Sequence, residues 1–317
     1  MKVASTLPAG LPVGTSPIKS CADAGERIRE RSEDNNCRTV GTLTVTDKNT
    51  PVAPAPAPQA APPVEPPVAT TPPPPPAPSS VPPAPVAYSP NTPFTVTSGT
   101  TPYWVYAPSA YDGTHATPIT LLVWLHGCGG YASGDIYTVS PGGSQSYLAI
   151  TVGGREGACW DVNVDAAKVL AAIADVKTHF NVNPRKVILG GYSSGGDLAY
   201  RTAFYNATSF AGVLIENSSP FRDTGSSSSA SLAAAAWKFH VVHLAHLQDL
   251  TYPISGVRTE TNALTAAGFP VTRVEVDGGH YDDAGAIENG HPVPGTSADL
   301  ATYLLPHLGD GWVAPAD

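Results

Sequence analysis

Between Phe94 and Leu308 the chain alternates two hydrophobic rhythms. The runs "FTVTSG" (94–99) and "YWVYAP" (103–108) read as short strands joined as a hairpin. "PITLLVWLHG" (118–127) is an unbroken apolar run ending at glycine, which suits a strand buried on both faces, and "SYLAITVGG" (146–154) is a second. From Asp161 to Phe180 the residues Val169, Leu170, Ile173, Val176 and Phe180 fall on one helical stripe. Pro184 interrupts, and "KVILGG" (186–191) opens the next buried strand. "GDLAYRTAFY" (196–205) predicts a helix, and "FAGVLIENS" (210–218) and "KFHVVHLAH" (238–246) predict strands. "PISGVRTETNALTAAG" (253–268) predicts a helix closing at Gly268. A last strand, "VTRVEVDGG" (271–279), and a last helix, "TSADLATYLLPHL" (296–308), complete the series. Strands alternating with helices predict an α/β domain over 94–317, a mostly parallel twisted sheet with helices on both faces.

Upstream the rhythm vanishes. Residues 51–93 hold 19 of the 34 prolines, and Glu65 is the one charge between Val52 and Pro85. Such a segment cannot build ladders and favours polyproline II, so 51–93 is expected to be a linker. At about 3.1 Å per residue its reach is on the order of 100 Å. Residues 1–50 are too few for a comfortable core, so a Cys21–Cys37 bond would help them. The four cysteines fall in two pairs, Cys21 with Cys37 and Cys128 with Cys159, none spaced C-x-x-C. Two disulfides in an oxidising compartment are expected, with four buried thiols as the alternative.

Composition narrows the partners. Charged residues make up 14% and the net charge is −9, which argues against nucleic acid. No apolar run of about 18 residues is present, so no membrane-spanning helix is expected. "MKVASTLPAG" lacks the apolar stretch of a signal peptide, and Met1, the sole methionine, reads as a start codon on a trimmed mature chain.

The chemistry concentrates at "KVILGGYSSGGDLAYRTAF" (186–204). A serine at a strand–turn–helix bend stands clear of the sheet, and small neighbours let the following helix pass close. Gly191 and Gly195 flank Ser193 in this way, with Gly190 and Gly196 adding room. An acyl-transfer nucleophile also needs donors for an oxyanion. The backbone N–H of Ser194 is one. The loop "LHGCGG" (125–130) supplies the other, with Cys128 ahead of Gly127. His126 reads as an ordering residue of that loop. Of nine histidines, His280 in "EVDGGHYD" follows the last predicted strand on a glycine-softened loop and is the expected base. His240, His243 and His246, spaced by three, do not share a strand face and read as strand and core residues rather than zinc ligands, with His246 near the site. The acid should lie between nucleophile and base in the chain; Asp249 in "HLQDLTYP" does, whereas Asp277 and Asp282 crowd His280.

Two resemblances follow from these residues. "LPAGLPVGT…CADAG…E-x-NNC", with Glu33, Asn35, Asn36 and Cys37, resembles the end of a CARDB domain, a bacterial extracellular β-sandwich associated with adhesion. "LHGCGG…ACWD…GGYSSGG…D-x-x-YP…GGHYD" resembles the esterases that include polyhydroxybutyrate depolymerases and feruloyl esterases, and covers 94–317. The second resemblance implies a secreted α/β-hydrolase that cuts carboxylic esters by an acyl-enzyme, without metal or cofactor. It also implies a bond from Cys128 to Cys159 that ties the oxyanion loop to its neighbour. The chain departs from the commoner H-G-x-x-D acid loop, having H-L-Q-D at 246–249.

Trp160, placed at the exposed end of a strand beside the oxyanion loop, could stack on an aromatic or sugar ring, or else fill core. Tyr131 and Tyr192 are candidates for the same cleft. No long lid insertion is visible, so an open cleft suiting a polymer or bulky ester is expected, on a monomer. Two other readings use the same residues: a binding protein on a degenerate hydrolase fold, and a peptidase or acyltransferase.

Overall fold

The computed structural model describes residues 14–21, 37–45, 86–99, 101–111, 116–140, 145–222, 228–281, 287–288, 291–292 and 296–316. Contacts divide the chain into two units, Met1–Pro75 and Pro76–Asp317. In the first, β1 (Gly14–Cys21) and β2 (Cys37–Val45) pair antiparallel with a bulge between Ile18 and Lys19. Their register opposes Cys21 to Cys37. The side chains of that expected bond lie outside the described residues, as does the proline-rich run through Pro85.

The second unit is built on an eight-stranded sheet. Its strands are β3 (Phe94–Ser98), β4 (Thr101–Tyr106), β5 (Ile119–Leu125), β6 (Tyr147–Val152), β7 (Val182–Tyr192), β8 (Gly212–Glu216), β9 (His240–His246) and β10 (Val271–Val276). Their spatial order is β3-β4-β6-β5-β7-β8-β9-β10. The β3–β4 and β4–β6 pairs are antiparallel and the rest parallel. The chain leaves β5 toward β6 on one side and leaves β7 toward β8 on the other. A crevice therefore opens outside the carboxyl ends of these neighbours, where a doubly wound sheet places its ligands.

Strand β5 shows why its run is unbroken in sequence. Leu121, Val123 and Leu125 join one core and Leu122 and Trp124 the other, all fully buried. On the first face Val169 and Val176 of α2 (Ala166–His179) and Leu198 and Phe204 of α3 (Ser194–Tyr205) cover the sheet. On the second, Ile136 of α1 (Ala132–Thr138) packs with Leu300 and Leu304. Helices α4 (Ser228–Ala234) and α5 (Ile254–Ala266) complete the layers before the C-terminal turns. No helix among the described residues is long and apolar enough to cross a membrane.

Four expectations need correction. The globular unit reaches back past Phe94: Tyr88 lies against the rings of Phe94, Tyr111 and Phe180 at 6.2, 6.5 and 5.5 Å, so the end of the expected linker packs, half-buried, on the core. Strand β7 starts at Val182, before Pro184, because the pairing with β5 slips there, from Ile119↔Val182 to Leu121↔Val187, and the extra residues absorb the proline. Helix α2 starts at Ala166 rather than Asp161. The Asp165 carboxylate accepts the Asp161 N–H at 2.9 Å and bonds Arg155 at 2.6 Å, closing a turn ahead of the helix. Burial works against that carboxylate, but its bonds to Lys168, the Asp161 N–H and Arg155 hold it below the usual range. The last helix is broken into α6 (Thr296–Asp299), a π-type turn (Leu300–Leu304) and a 3₁₀ turn (Leu305–Gly309). Pro306 lacks the N–H that an α-helix would need there.

Candidate active site

Ser193 sits where β7 ends and α3 begins, with φ 52° and ψ −124°. A left-handed φ in a non-glycine residue costs on the order of 1–3 kcal/mol, so its surroundings must impose it. They do. The Ser193 N–H donates to the Glu216 carbonyl at 3.0 Å, and its own carbonyl accepts the Asp197 N–H at 3.1 Å and the Ser218 hydroxyl at 2.8 Å. The turn also needs its glycines: a Cβ on Gly195 would stand 2.1 Å from the Leu125 carbonyl oxygen, and one on Gly191 would stand 2.5 Å from the backbone of Gly195.

The bend delivers the serine hydroxyl to His280. Ser193 Oγ lies 3.0 Å from His280 Nε2, and His280 Nδ1 lies 2.8 Å from Asp249 Oδ2. Asp249 leaves β9 in a turn: its Oδ1 accepts the N–H groups of Thr251 at 2.7 Å and Tyr252 at 2.9 Å, which leaves Oδ2 aimed at the imidazole. His280 follows β10 and is sandwiched by rings, Tyr192 on one contact and Tyr252 on the other, each with centroids at 5.4 Å. The Tyr192 hydroxyl donates to the His280 carbonyl. Rings and bonds together restrict the imidazole to the orientation that serves both partners. Asp277 is exposed, and Asp282 lies outside the described residues.

The loop leaving β5 closes over the serine from the other side. Cys128 and Cys159 are joined by a disulfide, so this loop is tied to the segment after β6. Trp160 Nε1 donates to the His126 carbonyl at 2.9 Å, and its ring lies 4.8 Å from that of His126. His126 Nδ1 bonds the Gly127 carbonyl at 2.7 Å, and burial lowers the ring's basicity. Ser194 is the first residue of α3, so its N–H has no acceptor within the helix. Ser193, Ser194, Cys128, Cys159, Trp160 and Tyr252 border one cleft of about 390 Å³. A larger cavity of about 470 Å³ opens near the start of β5 and touches none of the Ser193–His280–Asp249 relay.

Three sequence-based placements change. Trp160 is on no strand and is 6% exposed: it belongs to the core while one edge borders the cleft, so it does not present an open stacking face. Tyr192 stands behind His280 instead of lining the cleft, and Tyr131, 55% exposed, lies outside that lining too. His240 and His243 are strand and core residues as expected: His243 is buried with Nδ1 2.9 Å from the Tyr200 hydroxyl, and His240 stacks on Trp312.

The residues that sequence reasoning passed over are Ser218, Asn217, Asp197, Tyr252 and Arg222. Asp197 receives the Ser219 N–H at 2.8 Å and the Tyr252 hydroxyl at 2.7 Å, and that hydroxyl is held far above its ordinary range by burial and by Asp197. Arg222 lies 4.5 Å over the Tyr252 ring. Tyr252 stood in the D-x-x-Y-P pattern, where its proximity to both Asp249 and the sheet edge was the available signal.

This sheet order and edge site define an α/β-hydrolase fold. No protein-family model matches the chain, and no curated protein matches it in sequence. Solved structures do match in shape. A thermophilic esterase from the planctomycete Thermogutta terrifontis, Est2, aligns at 17% identity with a TM-score of 0.51, covering 71% of this chain and 94% of its own. The same species' esterase 2 phosphorylated by paraoxon aligns at 17% identity and TM-score 0.51, covering 68% and 91%.

Proposed function

We propose that this chain is a secreted serine hydrolase that cleaves carboxylic esters through an acyl-enzyme. The observation that carries the reading is the continuous relay Ser193–His280–Asp249, with links of 3.0 and 2.8 Å, opening on a cleft. In the first step His280 Nε2 takes the Ser193 proton as Oγ bonds the ester carbonyl carbon, and the carbonyl electron pair moves to oxygen. The Ser194 and Cys128 N–H groups hold that oxyanion. Collapse expels the alcohol, which leaves with the proton from His280. Water, deprotonated by the same nitrogen, then releases the acid. Asp249 stays ionised and fixes the imidazole's tautomer. A precedent in the same fold is the Thermogutta enzyme that paraoxon phosphorylates.

The substrate class we assign is a bulky or aromatic ester: a feruloyl-type ester, or a polyester such as polyhydroxyalkanoate or an aromatic polymer like PET. The cleft is bordered by Trp160 and Tyr252, and polar side chains of Asn163 and Arg222 share its wall. The disulfide supports an oxidising, extracellular setting. Residues 1–50 we read as similar to the end of a CARDB domain, joined to the hydrolase unit by a proline-rich linker. Ser193→Ala should abolish hydrolysis of p-nitrophenyl butyrate, and a fluorophosphonate should label the wild type alone. A wild type that folds yet takes no label would make this a binding protein. A panel of methyl ferulate, polyhydroxybutyrate, terephthalate esters and an anilide separates the ester classes from a peptidase.

A further inference from the structure

Behind the triad lies a second group of polar side chains that the proposed reaction does not use. Glu216 ends β8, His246 ends β9, and Asp299 ends α6. All three are at least 98% buried. One oxygen of each carboxylate and one imidazole nitrogen lie within 4.8 Å of one another. Glu216 and His246 continue the strand faces of Leu214 and Leu244, beneath Leu300 and Leu304. The setting is therefore apolar, and two carboxylates held this close in it repel unless a positive charge joins them.

The imidazole indicates what that charge is. Asn217 Oδ1 accepts the His246 backbone N–H at 3.0 Å, which sets the amide's orientation. The same oxygen lies 3.0 Å from His246 Nδ1, while Asn217 Nδ2 lies 2.7 Å from Nδ1 and 3.5 Å from the Gly279 and His280 carbonyls. With Nδ1–H donated to Oδ1, Nε2 turns a bare lone pair toward Asp299. With the other tautomer, an Nε2–H would need to bond Asp299 Oδ2. Those atoms are 3.3 Å apart, yet neither has a hydrogen-bond partner. A shared proton must lie close to the line joining the two atoms; a cation sits off that line, where the two lone pairs converge. Ligands about 2.0–2.1 Å from a tetrahedral zinc ion stand about 3.3 Å from one another, matching this pair. A metal-bound histidine usually donates its far ring N–H to an oxygen acceptor such as a carboxylate or carbonyl, and the Asn217 Oδ1 offers an amide carbonyl in that place.

We propose that Glu216, His246 and Asp299 form an internal site for a divalent cation of the zinc class, bound through one nitrogen and two carboxylate oxygens. Its place gives it a structural task. The Glu216 carbonyl holds the Ser193 N–H, His246 precedes Asp249 by one turn, and Asn217 links His246 to the loop of His280. An ion here would fasten α6 to the sheet edge and brace all three positions of the relay.

The test uses the full chain, unfolded and refolded with either zinc chloride or a chelator, then gel-filtered. We expect one zinc per chain by elemental analysis and a higher melting temperature for the zinc-refolded sample. Glu216→Gln and Asp299→Asn should each lower zinc affinity by at least the roughly 10- to 100-fold that loss of an outer-shell partner costs. A wild type that retains no zinc overturns the proposal, showing that the cluster shares protons instead. So does zinc uptake that both variants keep. Where a variant does not fold, X-ray absorption of the zinc-loaded wild type decides: one imidazole among oxygens supports the site, and several imidazoles, as surface histidines would give, refute it.

Discussion

Cutting the Cys128–Cys159 bond tests how the oxyanion loop is held. The two residues are 31 apart in sequence. Closing a loop of that size removes about 12 cal/mol/K from the unfolded chain, or about 3.7 kcal/mol at 25 °C. The bridged stretch also carries β6, whose Leu148 and Ile150 are fully buried, so the native loop keeps its anchor when the bond is lost. Most of the effect should therefore fall on the unfolded state. For a domain of this size each kcal/mol moves Tm by roughly 2–4 °C, so Cys128→Ala/Cys159→Ala should melt about 7–15 °C lower by scanning calorimetry. Activity gives a second reading. In the proposed reaction the Cys128 N–H is an oxyanion donor, on a loop then tied down by the Trp160–His126 bond, and such a donor acts only in the transition state. We expect kcat to fall about tenfold, equivalent to ~1.4 kcal/mol, with KM little changed. A double variant that melts within about 2 °C of the wild type, at unchanged kcat, refutes the reasoning.

Asp249→Asn keeps the Oδ1 turn to Thr251 and Tyr252 but presents an amide N–H to His280 Nδ1, forcing the wrong tautomer; kcat should drop about 10⁴-fold while Tm moves little, and steady-state kinetics beside a melt will check it. His243 has its pKa lowered from 6.5 to about 3, by burial first and then by Arg273, so below pH 6.5 the unfolded chain takes up a proton that the native state refuses. Stability should therefore fall as pH drops from 6.5 toward 3, by up to about 1.4 kcal/mol per pH unit from this group, and urea melts of His243→Gln should show a flatter slope. Ser218→Ala removes the hydroxyl that holds the Ser193 carbonyl, and is expected to cost about 1 kcal/mol of stability and to lower kcat more than it raises KM. An unaltered kcat there would show that the elbow holds itself.

Much of this was legible because local and global signals agreed. The β5 run reads as doubly buried and is; the glycines around Ser193 read as room for a close helix, and at Gly195 the backbone leaves no space for a methyl. The order Ser193, Asp249, His280 placed three distant residues on loops at one sheet edge, and the geometry brings them together. Of the two readings of Trp160 the structure keeps the core one; its placement at an exposed strand end failed because exposure depends on what covers a residue, and its cover comes from elsewhere in the chain. Its indole N–H was spoken for by His126, a partner 34 residues away that no periodicity reveals. The broken C-terminal helix is different. Pro306 stood in plain view, but the apolar spacing before it outweighed it in the reading. The Glu216–His246–Asp299 cluster was missed for a third reason, with His246 read as a core residue rather than a zinc ligand. Its members come from two strands and a C-terminal turn, and only the sheet order makes them neighbours.

The same order explains why the edge of β8 matters more than its five residues indicate. β7 carries the strained serine, but a strand cannot brace its own terminus. The bonds that hold Ser193 at φ 52° come largely from the neighbour: the Glu216 carbonyl and the Ser218 hydroxyl, with Asp197 adding one from α3. Two of those bonds, at about 1 kcal/mol each, are of the size needed to offset the backbone strain. Asn217, itself at φ 45°, sits between them and reaches His246 and the His280 loop. One short segment, Glu216 to Ser218, thus sets the position of Ser193 and orders the residues behind His280. Changes there should act on catalysis without touching substrate, because they move the geometry on which proton transfer depends.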